Sequence, residues 1–213
     1  MMNHSQSIRD IKSKKPTLRF YILWVLANGL GTIIGTIILF FLLVSFGMLS
    51  TPLPEQQSKL EGIWEMVTSI SLISIPFGGI IGIMQWLVIR KYIANSGFWF
   101  ATSAIGMFIG NIVSSVIPIF YLGHQPSDLF LAWFFFGAVS GVLQWIIMRR
   151  QINYSGLWIF VNVIAGGIAG FLLPDLGIIG VSIGWALSGI FTGGILFVLL
   201  QRANRDYDSQ SIA

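Results

Sequence analysis

Two glutamines sit where this chain is otherwise apolar. Gln85 and Gln144 each lie three residues beyond a glycine pair, and each is followed by a tryptophan. An amide facing hydrocarbon is costly, so each is expected to point inward or towards an interface. Two kinds of chemistry suit such groups: hydrogen bonding between helices, or a polar constriction that handles an uncharged solute. The small-residue spacing beside them favours the first. Asn28, Asn162 and Asn111 are further amides at or beside glycines. Asn28 and Asn162 occupy equivalent positions and Asn111 lies deeper. Interhelical bonds are the default reading for all three.

Other chemistry is sparse. No Asp or Glu lies deep in an apolar run, Glu65 being near the outer start of one, and such groups are the usual basis of proton- or sodium-coupled transport. Cysteine is absent, and the two histidines are His4 in the N-terminal tail and His124 in a Gly-His-Gln-Pro loop. No zinc-protease, P-loop or dinucleotide pattern occurs. The Ser-Gly pairs at Ser96 and Ser155 lack a base and read as helix N-caps. Ala138–Gly141 and Ala186–Gly189 come near an intramembrane protease serine motif but have no partner histidine. Water-channel Asn-Pro-Ala boxes are missing. Asp175, after Pro174, reads as a turn residue. No enzyme, cofactor or metal is therefore expected.

Composition sets the elements that must hold these amides. Of the 213 residues 55% are hydrophobic and 9% charged, against about 25% charged in soluble domains. The 24 glycines lie inside apolar runs, as suits close helix packing in lipid. The net charge of +4 does not point to nucleic acid, because the basic residues flank apolar segments instead of lining a face. A helix needs about 20 apolar residues to cross the hydrocarbon core. Six spans are expected, near Leu18–Leu49, Ile63–Ile89, Phe98–Tyr121, Leu129–Met148, Leu157–Leu173 and Ile178–Leu200, with a tight turn at Pro174–Gly177. The fold class is an all-α membrane protein. Residues 1–17 form a basic tail, 18–200 the transmembrane domain and 203–213 a second tail.

Basic residues orient it. Arg9, Lys12, Lys14, Lys15 and Arg19 precede the first span, Arg90 with Lys91 and Arg149 with Arg150 follow the second and fourth, and Arg202 and Arg205 follow the sixth. Lys59 alone lies on the other side, so eleven of the 12 share one face. The positive-inside rule makes that face cytoplasmic, with both termini there. A bacterial inner membrane is the expected location. Arg90, Lys91, Arg149 and Arg150, with Trp86 and Trp145 beside them, read as a rim for anionic lipid head groups or another membrane protein. Trp99 and Trp158 are expected to join the same interfacial belt.

The spans repeat. Phe77–Trp99 reads FGGIIGIMQWLVIRKYIANSGFW and Phe136–Trp158 reads FGAVSGVLQWIIMRRQINYSGLW, in register at an offset of 59. Gly78 and Gly82, Gly137 and Gly141, and Gly189 and Gly193 are pairs four apart, each placing two small residues on one helix face. In the last copy Leu196 replaces the glutamine, which weakens any ring of three. The odd spans correspond as well: Trp24, Asn28, Gly31 and Gly35 share the spacing of Trp99, Ser103, Gly106 and Gly110, and of Trp158, Asn162, Ala165 and Ala169. The unit is a two-helix hairpin, at about 18–90, 97–150 and 156–202. Two spans per unit make the repeats parallel, and a pseudo-threefold bundle is the simplest closure.

The Gln-Trp-x-x-x-Arg pattern followed by Ser-Gly-x-Trp, carried by Gln85–Trp99 and Gln144–Trp158, resembles uncharacterised bacterial multi-spanning membrane proteins with tandem copies of it. The resemblance implies no activity. Together these readings point to a non-enzymatic scaffold, accessory or assembly subunit. The alternative is a passive channel or facilitator for a small uncharged or apolar solute.

Overall fold

A computed structural model describes residues 15–45, 59–117 and 127–210. Every regular element among them is helical. Helix α1 runs Leu18–Ser45, α2 Lys59–Ile89, α3 Trp99–Ile117, α4 Ser127–Met148 and α5 Leu157–Gln210. The tail through Lys14, the expected first span beyond Ser45, the expected third span beyond Ile117, and His124 lie outside the described residues.

The side chains are sorted opposite to those of a water-soluble protein. Phe160 is 68% exposed, and Leu26, Phe41, Leu72 and Phe171 also face outward, while Asn28 is 1% and Gln85 7% exposed. Water would drive the apolar groups in and leave the amides out. Hydrocarbon reverses that preference and forces each backbone to satisfy itself as helix. Leu18–Leu42, Val67–Ile89, Ser96–Val113 and Ile183–Arg205 are long and apolar enough to cross a membrane, and Trp133–Met148 and Leu157–Phe171 are shorter apolar helices. These are the features of a helical membrane protein.

Helix α5 spans 54 residues, yet the chain doubles back within it. A Cβ built on Gly184 would lie 2.8 Å from the Cα of Ala169. A straight helix would hold residues so far apart in sequence about 22 Å apart along its axis. The limbs 157–171 and 183–210 therefore run side by side. The turn expected at Pro174–Gly177 falls inside this reversal.

Small residues set the neighbours, and the order closes on itself. Gly31 meets Ile81 and Gly35 meets Phe77, joining α1 to α2. Gly78 and Gly82 meet Ser103, joining α2 to α3, and Gly106 meets Ser140 and Gly110 Phe136, joining α3 to α4. Gly137 and Gly141 meet Asn162 on the first limb of α5. Gly189 meets Asn28, and Gly193 meets Trp24, which returns the second limb to α1.

The basic residues gather at one end. The rings of Phe20 and Tyr92 are 4.8 Å apart. The side chain of Gln151 accepts from the Ala94 amide and donates to the Ala94 carbonyl, both at 2.8 Å, tying the loop after α2 to the loop after α4. Phe20, Ile93, Ile152 and Leu199 belong to one buried cluster. Lys15, Arg19, Arg90, Lys91, Arg149, Arg150, Arg202 and Arg205 surround that end, all exposed.

Candidate functional site

Each odd helical segment carries a tryptophan within its first two turns, followed, one turn on, by a small polar residue. That residue bonds back to the tryptophan carbonyl: Asn28 Nδ2 donates to Trp24 O at 2.9 Å, Ser103 Oγ to Trp99 O at 2.9 Å and Asn162 Nδ2 to Trp158 O at 2.7 Å. This i to i−4 bonding holds the polar group against its own helix and leaves its second function to face the bundle.

The glutamines take up that second function. Gln85 Nε2 donates to Asn28 Oδ1 at 2.8 Å, and Gln85 Oε1 accepts the Trp99 indole N–H at 2.8 Å. Gln144 repeats the arrangement: its Nε2 donates to Ser103 Oγ at 3.0 Å, and its Oε1 accepts the Trp158 indole N–H at 3.0 Å. Each amide therefore fastens three helices, and both are buried. At the third position Leu196 is fully buried and can do neither. Thr192, one turn earlier, substitutes in part. It accepts the Trp24 indole N–H at 3.1 Å and donates to Ser188 O at 2.7 Å. By register with Gln85 and Gln144, a glutamine at position 196 would have donated to Asn162 Oδ1.

The three tryptophans that anchor these bonds are not interfacial. Trp24, Trp99 and Trp158 are 0–1% exposed, and their ring centres stand 6.1, 6.0 and 5.8 Å from one another. This corrects the belt expected for Trp99 and Trp158. Their indole N–H groups find amide or hydroxyl acceptors inside, so burial leaves no donor unpaired. Trp86 and Trp145 are half-buried at the basic end, where the guanidinium groups of Arg90 and Arg149 stand 5.3 and 5.4 Å from their ring centres. Ser96 and Ser155, expected as helix N-caps, do not take those positions: Ser96 lies inside a 3-10 turn that Asn95 precedes, and Ser155 lies two residues before α5. Asn95 and Tyr154, with φ of 56° and 59°, turn the chain in the left-handed region. A 3-10 turn over Ser96–Phe98 then leads into α3, with Trp99 N–H bonded to Ser96 O.

Beyond the tryptophans lies a cavity of about 40 Å³, lined by Asn28, Gln85, Ser103, Gln144, Asn162 and Thr192 among others. A water needs about 10–15 Å³ measured in this way, so it has room for two or three. The three indoles stand across its basic end. Towards the other end are Phe77, Phe136, Trp133 and Trp185, in edge contact at 5.4–6.4 Å. Trp185 lines the cavity, and among the described residues nothing accepts its buried Nε1–H. Asn111 is half-buried and is not part of this lining.

The structure thus brings Gln85, Gln144, Asn28 and Asn162 into one layer. Ser103, Ser188 and Thr192 belong to it too, and sequence reading gave them no role there. The signal for Ser103 was its register with Asn28. Thr192 had only its place one turn before Leu196. The layer can hold polar groups and water in an apolar setting. Among the described residues no three His, Asp, Glu or Cys side chains approach as a metal site would require. The chain matches no family model, no curated protein and no solved structure.

Proposed function

We propose that the chain is a six-span protein of the bacterial cytoplasmic membrane, built from three parallel hairpins about a pseudo-threefold axis. Its basic end and both termini face the cytoplasm, and it acts as a non-enzymatic scaffold, accessory or assembly subunit. The cyclic order of glycine contacts supports the threefold arrangement, since each hairpin's second helix seats on the next hairpin's Asn or Ser. Gathering of the exposed cations at one end supports the orientation, through the positive-inside rule. The two shorter apolar helices, Trp133–Met148 and Leu157–Phe171, complete the count of six in this reading.

One observation carries the functional part. The three indoles stand across the axis at 5.8–6.1 Å between centres, which leaves no room for a solute between them. Both glutamines spend donor and acceptor on neighbouring helices, so the centre works as a structural clasp. The competing reading is a passive facilitator for a small uncharged solute, and the polar cavity of about 40 Å³ is the observation in its favour.

Purification in mild detergent, followed by identification of co-purifying proteins, tests the proposal alongside solute flux in liposomes. A stable protein partner and flux no greater than that of empty liposomes are the expected results. Flux that collapses in the Gln85→Leu, Gln144→Leu double variant would overturn the subunit reading in favour of a path.

A further inference from the structure

A groove of about 590 Å³ runs between the start of α3 and the end of α4. Phe98 and Thr102 form one wall, Leu143 and Ile146 the other, and Arg149 and Arg150 stand at its mouth. Its volume falls in the range of about 300–1,000 Å³ typical of small-molecule sites. The walls are apolar and open outward, with Phe98 70% and Ile146 46% exposed. The reciprocal Gln151–Ala94 bonds fix the floor by locking the two loops that flank it. Stacking on Trp145 orients the guanidinium of Arg149 at 5.4 Å from the ring centre.

We infer that this groove binds one anionic glycerophospholipid, with an acyl chain along Leu143, Ile146 and Phe98 and the phosphate between Arg149 and Arg150. The inference rests on the proposed membrane orientation, which puts the arginines at head-group level. Charge complementarity selects the occupant. Two fixed cations above an apolar trough match a lipid carrying net negative charge, whereas a zwitterionic lipid brings its own cation to the same mouth. Basic pockets between membrane helices on the cytoplasmic side recognise lipid phosphates in this way. Arginine suits the task better than lysine because its planar fork pairs with phosphate through two donors. The corresponding pair after α2 is Arg90 and Lys91, and Tyr92, at the position of Gln151, packs on Phe20.

The test uses the full chain in mixed micelles, with lipid retention read by native mass spectrometry. The probes are dioleoyl phosphatidylglycerol and dioleoyl phosphatidylcholine. Wild type should retain phosphatidylglycerol in preference, and R149Q/R150Q should lower that retention by about fivefold or more. The control R202Q/R205Q removes equal charge from the same rim outside the groove and should change retention by less than about twofold. Leu143→Trp, which fills the trough and leaves the charge intact, should also abolish retention. Equal losses in the two arginine variants would overturn the site in favour of diffuse attraction. Absence of any preference, or displacement by inorganic phosphate, would do the same. Cysteine labelling at Lys91 separates the two readings. An inserted chain with Lys91 cytoplasmic and no lipid preference refutes the groove alone, and a chain that does not insert refutes both.

Discussion

The indole nitrogen of Trp99 donates to the side-chain carbonyl of Gln85 across 2.8 Å, with both residues buried. The bond joins the end of α2 to the start of α3, and the same amide reaches back to Asn28 on α1. Three helices are thus held by one side chain. A hydrogen bond that leaves no orphan is worth about 1 kcal/mol net, but removing one partner exposes the other to a desolvation cost of about 1–3 kcal/mol.

That asymmetry gives the first prediction. Trp99→Phe leaves Gln85 Oε1 unpaired and should destabilise the protein by about 1–3 kcal/mol beyond the loss of ring volume. A double-mutant cycle with Gln85→Met isolates the pair, and its coupling should be about 0.5–3 kcal/mol. Trp185→Phe removes a donor that has no partner among the described residues, so no comparable penalty should appear. Unfolding in mixed micelles measures all five proteins, wild type included. Additive single effects in the Trp99–Gln85 cycle would rule out the bond.

Leu196→Gln tests the broken third copy. A glutamine there can donate to Asn162 Oδ1 and accept from Trp24, as its two counterparts do. The substitution should cost less than about 1 kcal/mol, although burying an unbonded amide in a core costs about 1–3 kcal/mol by mutational measure. Val161→Gln, a buried site in the same cluster outside the layer, supplies the comparison. Equal costs at both sites would refute the register.

The glycines divide by what surrounds them. A Cβ at Gly137 would collide with the backbone carbonyl of Asn162, whereas one at Gly194 would meet nothing within 4 Å. Gly137→Ala should therefore destabilise by about 1–3 kcal/mol through forced separation of α4 and α5. Gly194→Ala should be neutral or slightly stabilising, since alanine is the better helix former by about 1 kcal/mol. The midpoint of thermal unfolding in detergent separates them, and a Gly137→Ala protein as stable as wild type would contradict the close approach.

Gln151→Leu removes both bonds to Ala94. The amide of Ala94 should then exchange with deuterium faster by about tenfold or more, while amides of the helix interiors keep their protection. Unchanged exchange at Ala94 would mean that the loops are held by the packing of Ile93 and Ile152 alone.

Absence of native cysteine makes the orientation simple to test. Lys91→Cys and Arg205→Cys should both react with an impermeant maleimide in inverted vesicles and be protected in right-side-out ones. Opposite accessibility of the two sites would rule out an even number of spans between them.

Sequence alone determined that the chain is helical and apolar, that its cations flank the apolar runs, and that glycine, glutamine and tryptophan recur at fixed spacing. Those features are local, or are comparisons of one segment with another, and they follow from composition and period. It also named Gln85, Gln144, Asn28 and Asn162 as the amides to watch. Only tertiary structure decided what they bond to. An indole beside a basic loop reads as interfacial on hydropathy, because the sequence does not say whether an acceptor waits inside. Trp99 and Trp158 are buried because Gln85 and Gln144, on neighbouring helices, accept their N–H groups. Thr192 enters the polar layer for the same kind of reason, since Leu196 left the Trp24 indole to be satisfied one turn away. Partners of this kind lie as many as 168 positions apart in the chain, and only folding brings them within 3.1 Å.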